Sequence, residues 1–260
     1  MNPAAAPAEV LTAPLHSLAL RHGDDNLVLA QRLSMWVSRA PDLEEDLALG
    51  NIALDHLGLA RALLTYAGEV EGAGRTEDQL AMGRTERQFT NLLLVEQPNG
   101  DFAMTMGRQL LFDAYQLELW DSMAGCSDEA LAGLAMRASN EARYHFLHSS
   151  TWVERLGDGT EESHQRMQAA LDWLWQFTDE PFEGDAVTAW AAAELGVAPL
   201  GEHRDRWEFR VDKVLSKARL DKPSSGNRRS GGRSGRHSEH LGHLLAEMQW
   251  MQRTYPGLEW

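Results

Sequence analysis

The stretch FAMTMGRQLLFDAYQLELW, residues 102–120, decides the fold. Phe102, Met106, Leu110, Leu117 and Trp120 recur at three- and four-residue intervals, which places them on one face of an α-helix. Asp113 stands in the middle of that stripe, where a core-facing helix would ordinarily carry another apolar residue. The turn formers Gln97-Pro98-Asn99-Gly100 precede the helix. The same period continues on both sides. Leu29, Leu33, Trp36 and Val37 share a face of a helix running from Asp24, which Pro41 breaks. A second helix opens near Asp42, whose charge suits the positive end of the helix dipole. It carries Leu43, Leu47, Leu54 and Leu57, with Gly50, Ala53, Gly58 and Ala60 small enough to let another helix approach. Ser127 is the expected N-cap of a helix running to Leu156, stopped by Gly157-Asp158-Gly159. Thr160 caps a further helix, closed by Pro181, and shorter helices are expected over 185–196, 200–220 and 238–254. No segment alternates as a strand would. Long helices with short connections predict an all-α, up-and-down bundle. One domain is expected over residues 14–260, behind a tail over 1–13.

Composition narrows the function classes. Hydrophobic residues make up 43% and charged residues 24%, an ordinary globular balance. The net charge of −15 opposes nucleic-acid binding, because a polyanion is repelled by most of such a surface. No apolar run reaches the roughly 18 residues of a membrane span, and the start of the chain lacks the cationic segment of a secretory signal. One cysteine, Cys126, suits a reducing cytoplasm. It lies at a helix start, with no neighbouring His or acid to complete a nucleophile pair. Residues 222–236, KPSSGNRRSGGRSGR, reverse the sign locally through Lys222, Arg228, Arg229, Arg233 and Arg236. Gly/Ser-rich composition favours a flexible, solvated loop. The sharper alternative is an anion clamp, since guanidinium forks pair with phosphate and glycine permits close backbone approach.

In a helical bundle, chemistry usually means a metal held between facing helices. A carboxylate-bridged diiron centre takes one carboxylate from each of two helices and a Glu-x-x-His pair from each of two others. Asp24 (or Asp25), Asp55, Asp113 and Glu141 each fall on one of the four long helices, and Glu141 shares a stripe with Leu134, Ala138, His145, His148 and Trp152. The pairs are missing, however. Gly58 follows Asp55 by three residues, Tyr144 follows Glu141 by three, and His145 is one position late, about 100° round the helix. These carboxylates therefore read as members of a buried hydrogen-bond network, the remnant of a metal site. On the last helix His237, His240 and His243 recur every three residues and His240, His243 and Glu247 share a face, but the neighbouring basic loop opposes a cation. No phosphate-binding loop, nucleophile elbow or dinucleotide turn is present. The residues alone point to a ferritin-like bundle with a degenerate metal site, serving as an assembly partner.

Four stretches carry a resemblance: DLALGNIALD (46–55), RQFTNLLLVEQPNG (87–100), EARYH (141–145) and HSEHLG (237–242) with LAEMQ (245–249). Together they are similar to the C-type subunits of the bacterial phenylacetyl-CoA epoxidases, over nearly the whole chain beyond the tail. The resemblance implies a non-catalytic, ferritin-like subunit that carries no cofactor. Its complex adds one oxygen atom of O2 across the ring of phenylacetyl-CoA with electrons from NADPH. The implied partners are a catalytic diiron subunit, a small bridging subunit and a reductase bearing flavin and an iron–sulfur cluster. The family also implies contact of Gln88, Phe89, Thr90 and Asn91 with the CoA ester, and a poorer match places Ala189, Trp190 and Ala191 there. Arg228, Arg229, Arg233 and Arg236 are the candidates for CoA phosphates. Two other readings stand beside this one. The first is an active metal oxidase or oxygenase with an atypical site at Asp55, Asp113, Glu141 and His145. The second is a scaffold unrelated to CoA substrates.

Overall fold

The computed structural model describes residues 8–224 and 226–258, with side chains from residue 13 onward. In chain order the α-helices are α1 (Ala8–Ser34), α2 (Leu43–Glu71), α3 (Glu77–Met82), α4 (Phe102–Met123), α5 (Glu129–Gly157) and α6 (Glu161–Leu174). There follow α7 (Ala186–Trp190), α8 (Leu200–Lys217), α9 (Glu239–Met248) and α10 (Trp250–Thr254). No strand occurs among the described residues, and the expected all-α, ferritin-like bundle is what the chain forms. Helix α1 packs along α2, and α4 along α5. These two hairpins close on each other through α2 and α5, while α6 and α8 cover the outer side of α4. Trp120, Phe112, Leu29, Leu63 and Ile52 lie fully buried between them.

Side-chain caps set the helix starts. Asp42, Asp101 and Asp128 accept from the backbone N–H three residues on, at 2.8, 2.9 and 2.8 Å. Each such cap is worth about 1 kcal/mol. Asp128 thus displaces Ser127, whose hydroxyl donates instead to the Glu194 carbonyl. A carboxylate there also complements the helix dipole, as a hydroxyl does not. Helix α1 begins at Ala8, well ahead of Asp24 where the periodicity places its start, and residues 1–7 of the expected tail lie outside the described residues. The last helix, expected over 238–254, is broken at Gln249, which is buried and donates to the carbonyls of Ala81 and Arg84.

Two departures from the sequence expectations matter for function. The first concerns α2. Leu49, Ile52, Leu59 and Leu63 form its buried face, while Leu43, Leu47, Leu54 and Leu57 point outward, 69, 61, 64 and 46% exposed. Gly50 and Gly58 face open space as well. Helix α2 thus carries leucines on two faces, with Glu44, Asn51 and Arg61 exposed beside the outward ones. It is also the one described helix long and apolar enough to cross a membrane, yet its inner face carries His56 and Glu45, both buried and hydrogen-bonded.

The second departure is residues 89–97, a buried crossover without regular structure between α3 and α4. Phe89, Leu92, Leu94 and Val95 are almost completely enclosed. A buried irregular backbone must find partners for its own N–H and C=O groups, and here polar side chains supply them. Thr90 N–H donates to Asp24, Leu92 N–H to Asp25 and Leu93 N–H to Glu180, at 2.8, 2.8 and 2.7 Å. The carbonyls accept in turn: Glu96 from Arg32 (2.6 Å), Gln97 from Arg108 (2.7 Å), Thr90 from Arg233 (2.8 Å).

Candidate functional site

At the bundle centre α2, α4 and α5 bring His56, Asp113 and His145 together, all buried, with ligand-capable atoms within 4.8 Å of one another. His56 Nδ1 lies 2.7 Å from Asn26 Oδ1 on α1, and its Nε2 has no partner. Asp113 accepts from Ser149 at 2.7 Å through one carboxylate oxygen, and the other is unpartnered. Burial pushes the Asp113 carboxyl up to about 7, although His145, Ser149 and Arg108 pull the other way. Burial also holds His56 well below the ordinary imidazole range, helped by His145 and Arg108. His145 Nε2 lies 3.1 Å from Asp55. Glu141 lines the same gap, half-buried, its carboxyl raised by burial and then by Asp55.

Four of the five expected remnant residues therefore gather here: Asp55, Asp113, Glu141 and His145. Asp24 does not. It lies on another face of α1, paired with the buried guanidinium of Arg84 and with Thr90. Asn26, two residues along, is the α1 residue that reaches the centre. His56 is not among the sequence-predicted residues, because it lies one position after Asp55 and so on a different face of the helix. The signal that could have found it is its register with Leu49, Ile52, Leu59 and Leu63. The donors do not fit a dinuclear iron centre: among the three groups in close register only Asp113 is a carboxylate, and no Glu-x-x-His pair faces inward.

The other histidines and the cysteine are used differently. His237 is enclosed between Glu96, at 2.8 Å, and the Phe89 carbonyl, at 2.9 Å. Burial alone would lower its pKa, but the Glu96 carboxylate outweighs burial and raises it. His243 and Glu247 are exposed, and the α9 histidines form no metal-ligating cluster among the described residues. Cys126 is buried, which raises its thiol pKa, and its Sγ donates to the Asp128 carbonyl at 3.4 Å.

The basic segment 222–236 divides in two. Residues 226–230 are exposed, as a solvated loop should be, but 231–235 turn into the protein. Gly231 and Gly232 N–H groups donate to Glu180 at 3.0 and 2.7 Å. Gly232 lies so close to the Asn91 carbonyl that any Cβ would collide with it. Arg233 is drawn inward to Asp25, at 3.0 and 2.7 Å, and to the carbonyls of Arg21 and Thr90. Its fork is thereby committed to the crossover, which removes it from the set of free anion-binding arginines. Arg228, Arg229 and Arg236 line a surface pocket of about 420 Å³ with His237 and Ser238. Arg228 pairs at 2.7 Å with Asp179.

A second, mostly apolar pocket, also about 420 Å³, lies between α1, α4, α7 and the start of α8. Leu18, Leu119, Met123 and Val197 furnish its walls, with Arg21, His22, Tyr115 and His203 as polar groups. Arg21 is held by Asp185, the N-cap of α7, at 2.7 Å.

A family described as phenylacetic acid catabolic protein matches residues 1–260. The chain belongs to that family. It is 49% identical over 247 residues to the C subunit of the 1,2-phenylacetyl-CoA epoxidase of Escherichia coli (strain K12), covering 95% of this chain and 99% of the relative. The expected resemblance is thereby established. The family-implied contact residues fall in two places. Gln88 is exposed, its side-chain oxygen accepting from Thr85 N–H at 2.9 Å. Phe89 lies under the Arg84 guanidinium, Thr90 is tied to Asp24, and Asn91 donates to Glu96. Ala189 and Ala191 line the apolar pocket, whereas the Trp190 indole N–H is buried without a partner.

Proposed function

We propose that this chain is a non-catalytic subunit of a diiron phenylacetyl-CoA epoxidase in aerobic phenylacetate breakdown in the cytoplasm, and that it docks the catalytic diiron subunit through the outward face of α2. The observation that carries the docking is the ridge of Leu43, Leu47, Leu54 and Leu57 beside the open glycines Gly50 and Gly58. Leu47, Leu54 and Leu57 border a groove with Leu27 and Val37, and Met136, Tyr144 and Leu147 expose further apolar surface on α5. Contiguous apolar surface of this kind marks an interface, and small residues let a partner helix approach closely.

The non-catalytic role is supported by the central donor set, which lacks the ligands of a dinuclear centre. Oxygen activation is then the partner subunit's task. Electrons come from NADPH through a flavin and iron–sulfur reductase, and a small bridging subunit joins the pairs. Toward phenylacetyl-CoA this chain offers two regions: Gln88 to Asn91 with Ala189 to Ala191 for the ester, and Arg228, Arg229 and Arg236 for the phosphates. The test is co-expression with the diiron subunit and reductase. The chain alone should hold no iron pair and turn nothing over, yet be required for the partner's O2-dependent activity. Two irons per isolated chain, or full partner activity without it, would overturn the proposal.

A further inference from the structure

The central cluster is built as a ligand site even though it cannot hold two irons. We propose that His56, Asp113 and His145 together bind one divalent cation of the zinc type, in a closed site that clamps α2, α4 and α5. Three observations carry it. The donor set is the first: two imidazoles and one carboxylate from three different helices suit zinc and its neighbours. The second is the pattern of unsatisfied atoms. His56 Nε2 and one Asp113 oxygen are buried without partners, and leaving such groups unpaired is destabilising. Bound between them, a cation would satisfy both.

The surrounding shell is the third. Ligating histidines usually direct their other nitrogen to an acceptor that fixes the tautomer. His56 has Asn26 Oδ1 at 2.7 Å, an arrangement that puts the proton on Nδ1 and the lone pair on Nε2. His145 has Asp55 at 3.1 Å, and Asp113 has the Ser149 hydroxyl at 2.7 Å. The donor atoms lie within 4.8 Å of one another, while ligands about 2.1 Å from a tetrahedral zinc sit roughly 3.4 Å apart. Small rotamer shifts close that difference. Electrostatics agree, since the three carboxylates Asp55, Asp113 and Glu141 outnumber the guanidinium groups beside them, Arg108 near Asp113 and Arg137 near Glu141. An adjoining gap bordered by Asp55, His56, Glu141 and His145 has no room for a water molecule. A cation here would take its fourth ligand from a carboxylate of that gap, Glu141, rather than from water, and its role would be structural.

Cobalt titration of the full chain, with metal analysis of the chain as purified, tests this. The proposal expects about one zinc per chain and visible d–d bands on saturation with one equivalent of Co2+. Affinity should fall at least tenfold in Asp113→Asn, which keeps the side-chain volume, and in His56→Leu. A His240→Ala/His243→Ala control should bind as the wild type does. Absence of the cobalt bands in the wild-type chain would overturn the proposal, whatever the variants do. So would binding that survives Asp113→Asn or disappears with the α9 control. The result is independent of the proposed function. A metal-free chain that still activates its partner would sink only this inference, and two irons per chain would sink the non-catalytic reading.

Discussion

Arg233→Met tests whether the inward half of the basic segment is structural or binds anions. In the native protein the Arg233 fork satisfies both oxygens of Asp25 and two main-chain carbonyls. Methionine replaces the bulk of the side chain but leaves Asp25 buried with only the Leu92 N–H, at 2.8 Å, and His22, at 3.4 Å. Removing one partner of a buried ion pair costs about 3–5 kcal/mol. At roughly 2–4 °C per kcal/mol for a chain of this size, Tm should fall by about 6–20 °C.

The pH dependence provides a second signature. Burial alone would push the Asp25 carboxyl up, but Arg233, with His22, holds it below the usual carboxylate range. A depressed folded pKa contributes stability that is present above the unfolded value of about 3.9 and lost as pH falls through the folded value. Without Arg233, burial governs and the folded pKa rises, so the variant's deficit should be largest near neutrality and shrink on acidification. Thermal unfolding of wild type and variant across roughly pH 4–8, monitored by circular dichroism, measures both. An unchanged Tm, accompanied by weaker CoA-ester binding to the assembled complex, would refute the reasoning and return Arg233 to the anion clamp.

Leu47→Ala/Leu54→Ala removes two outward-facing side chains of α2; at about 1–2 kcal/mol each on docking, partner affinity should fall roughly thirty- to several-hundred-fold, read by titration calorimetry, with the chain's own Tm unchanged. Neutralising Arg228, Arg229 and Arg236 together should weaken CoA-ester binding by the complex at least tenfold and flatten its salt dependence, without a comparable loss of stability. His237 has a raised folded pKa, so its contribution is complete below the unfolded value of about 6.5 and disappears as pH rises through the folded value; His237→Gln should abolish that alkaline decline in Tm. Gly232→Ala drives a Cβ into the Asn91 carbonyl and should destabilise the chain by about 2–4 kcal/mol, seen as a lower denaturant midpoint.

Much of the fold is legible in the sequence because helix periodicity and caps are local. Asp42 and Thr160 act through groups a few residues away, so their residue types carry the signal. The outward direction of Leu43, Leu47, Leu54 and Leu57 is not legible. Helix α2 has apolar residues on both faces, and periodicity cannot say which face the rest of the same chain covers. The site is readable to the extent that its residues lie on stripes. Asp55, Asp113, Glu141 and His145 stand out that way. Asp24 misleads, because the buried acids Asp24 and Asp25 look like ligands when the partner groups lie some sixty or more residues away.

That last confusion has a physical root. A metal site and a buried irregular segment both require carboxylates inside an apolar bundle, the first for a cation and the second for N–H groups and guanidinium forks. Sequence shows only that the acid is inside. In this chain the two uses sit in adjacent layers. Asp24, Asp25, Glu96 and Glu180 offset the burial of the crossover and are all engaged with backbone N–H or cationic partners. Asp113, by contrast, keeps a buried oxygen with no donor, and it faces two imidazoles. A satisfied acid is explained by the fold that satisfies it. An unsatisfied one, held in position by a serine on the next helix, is what the proposed cation would satisfy, and that asymmetry separates Asp113 from the acids around the crossover.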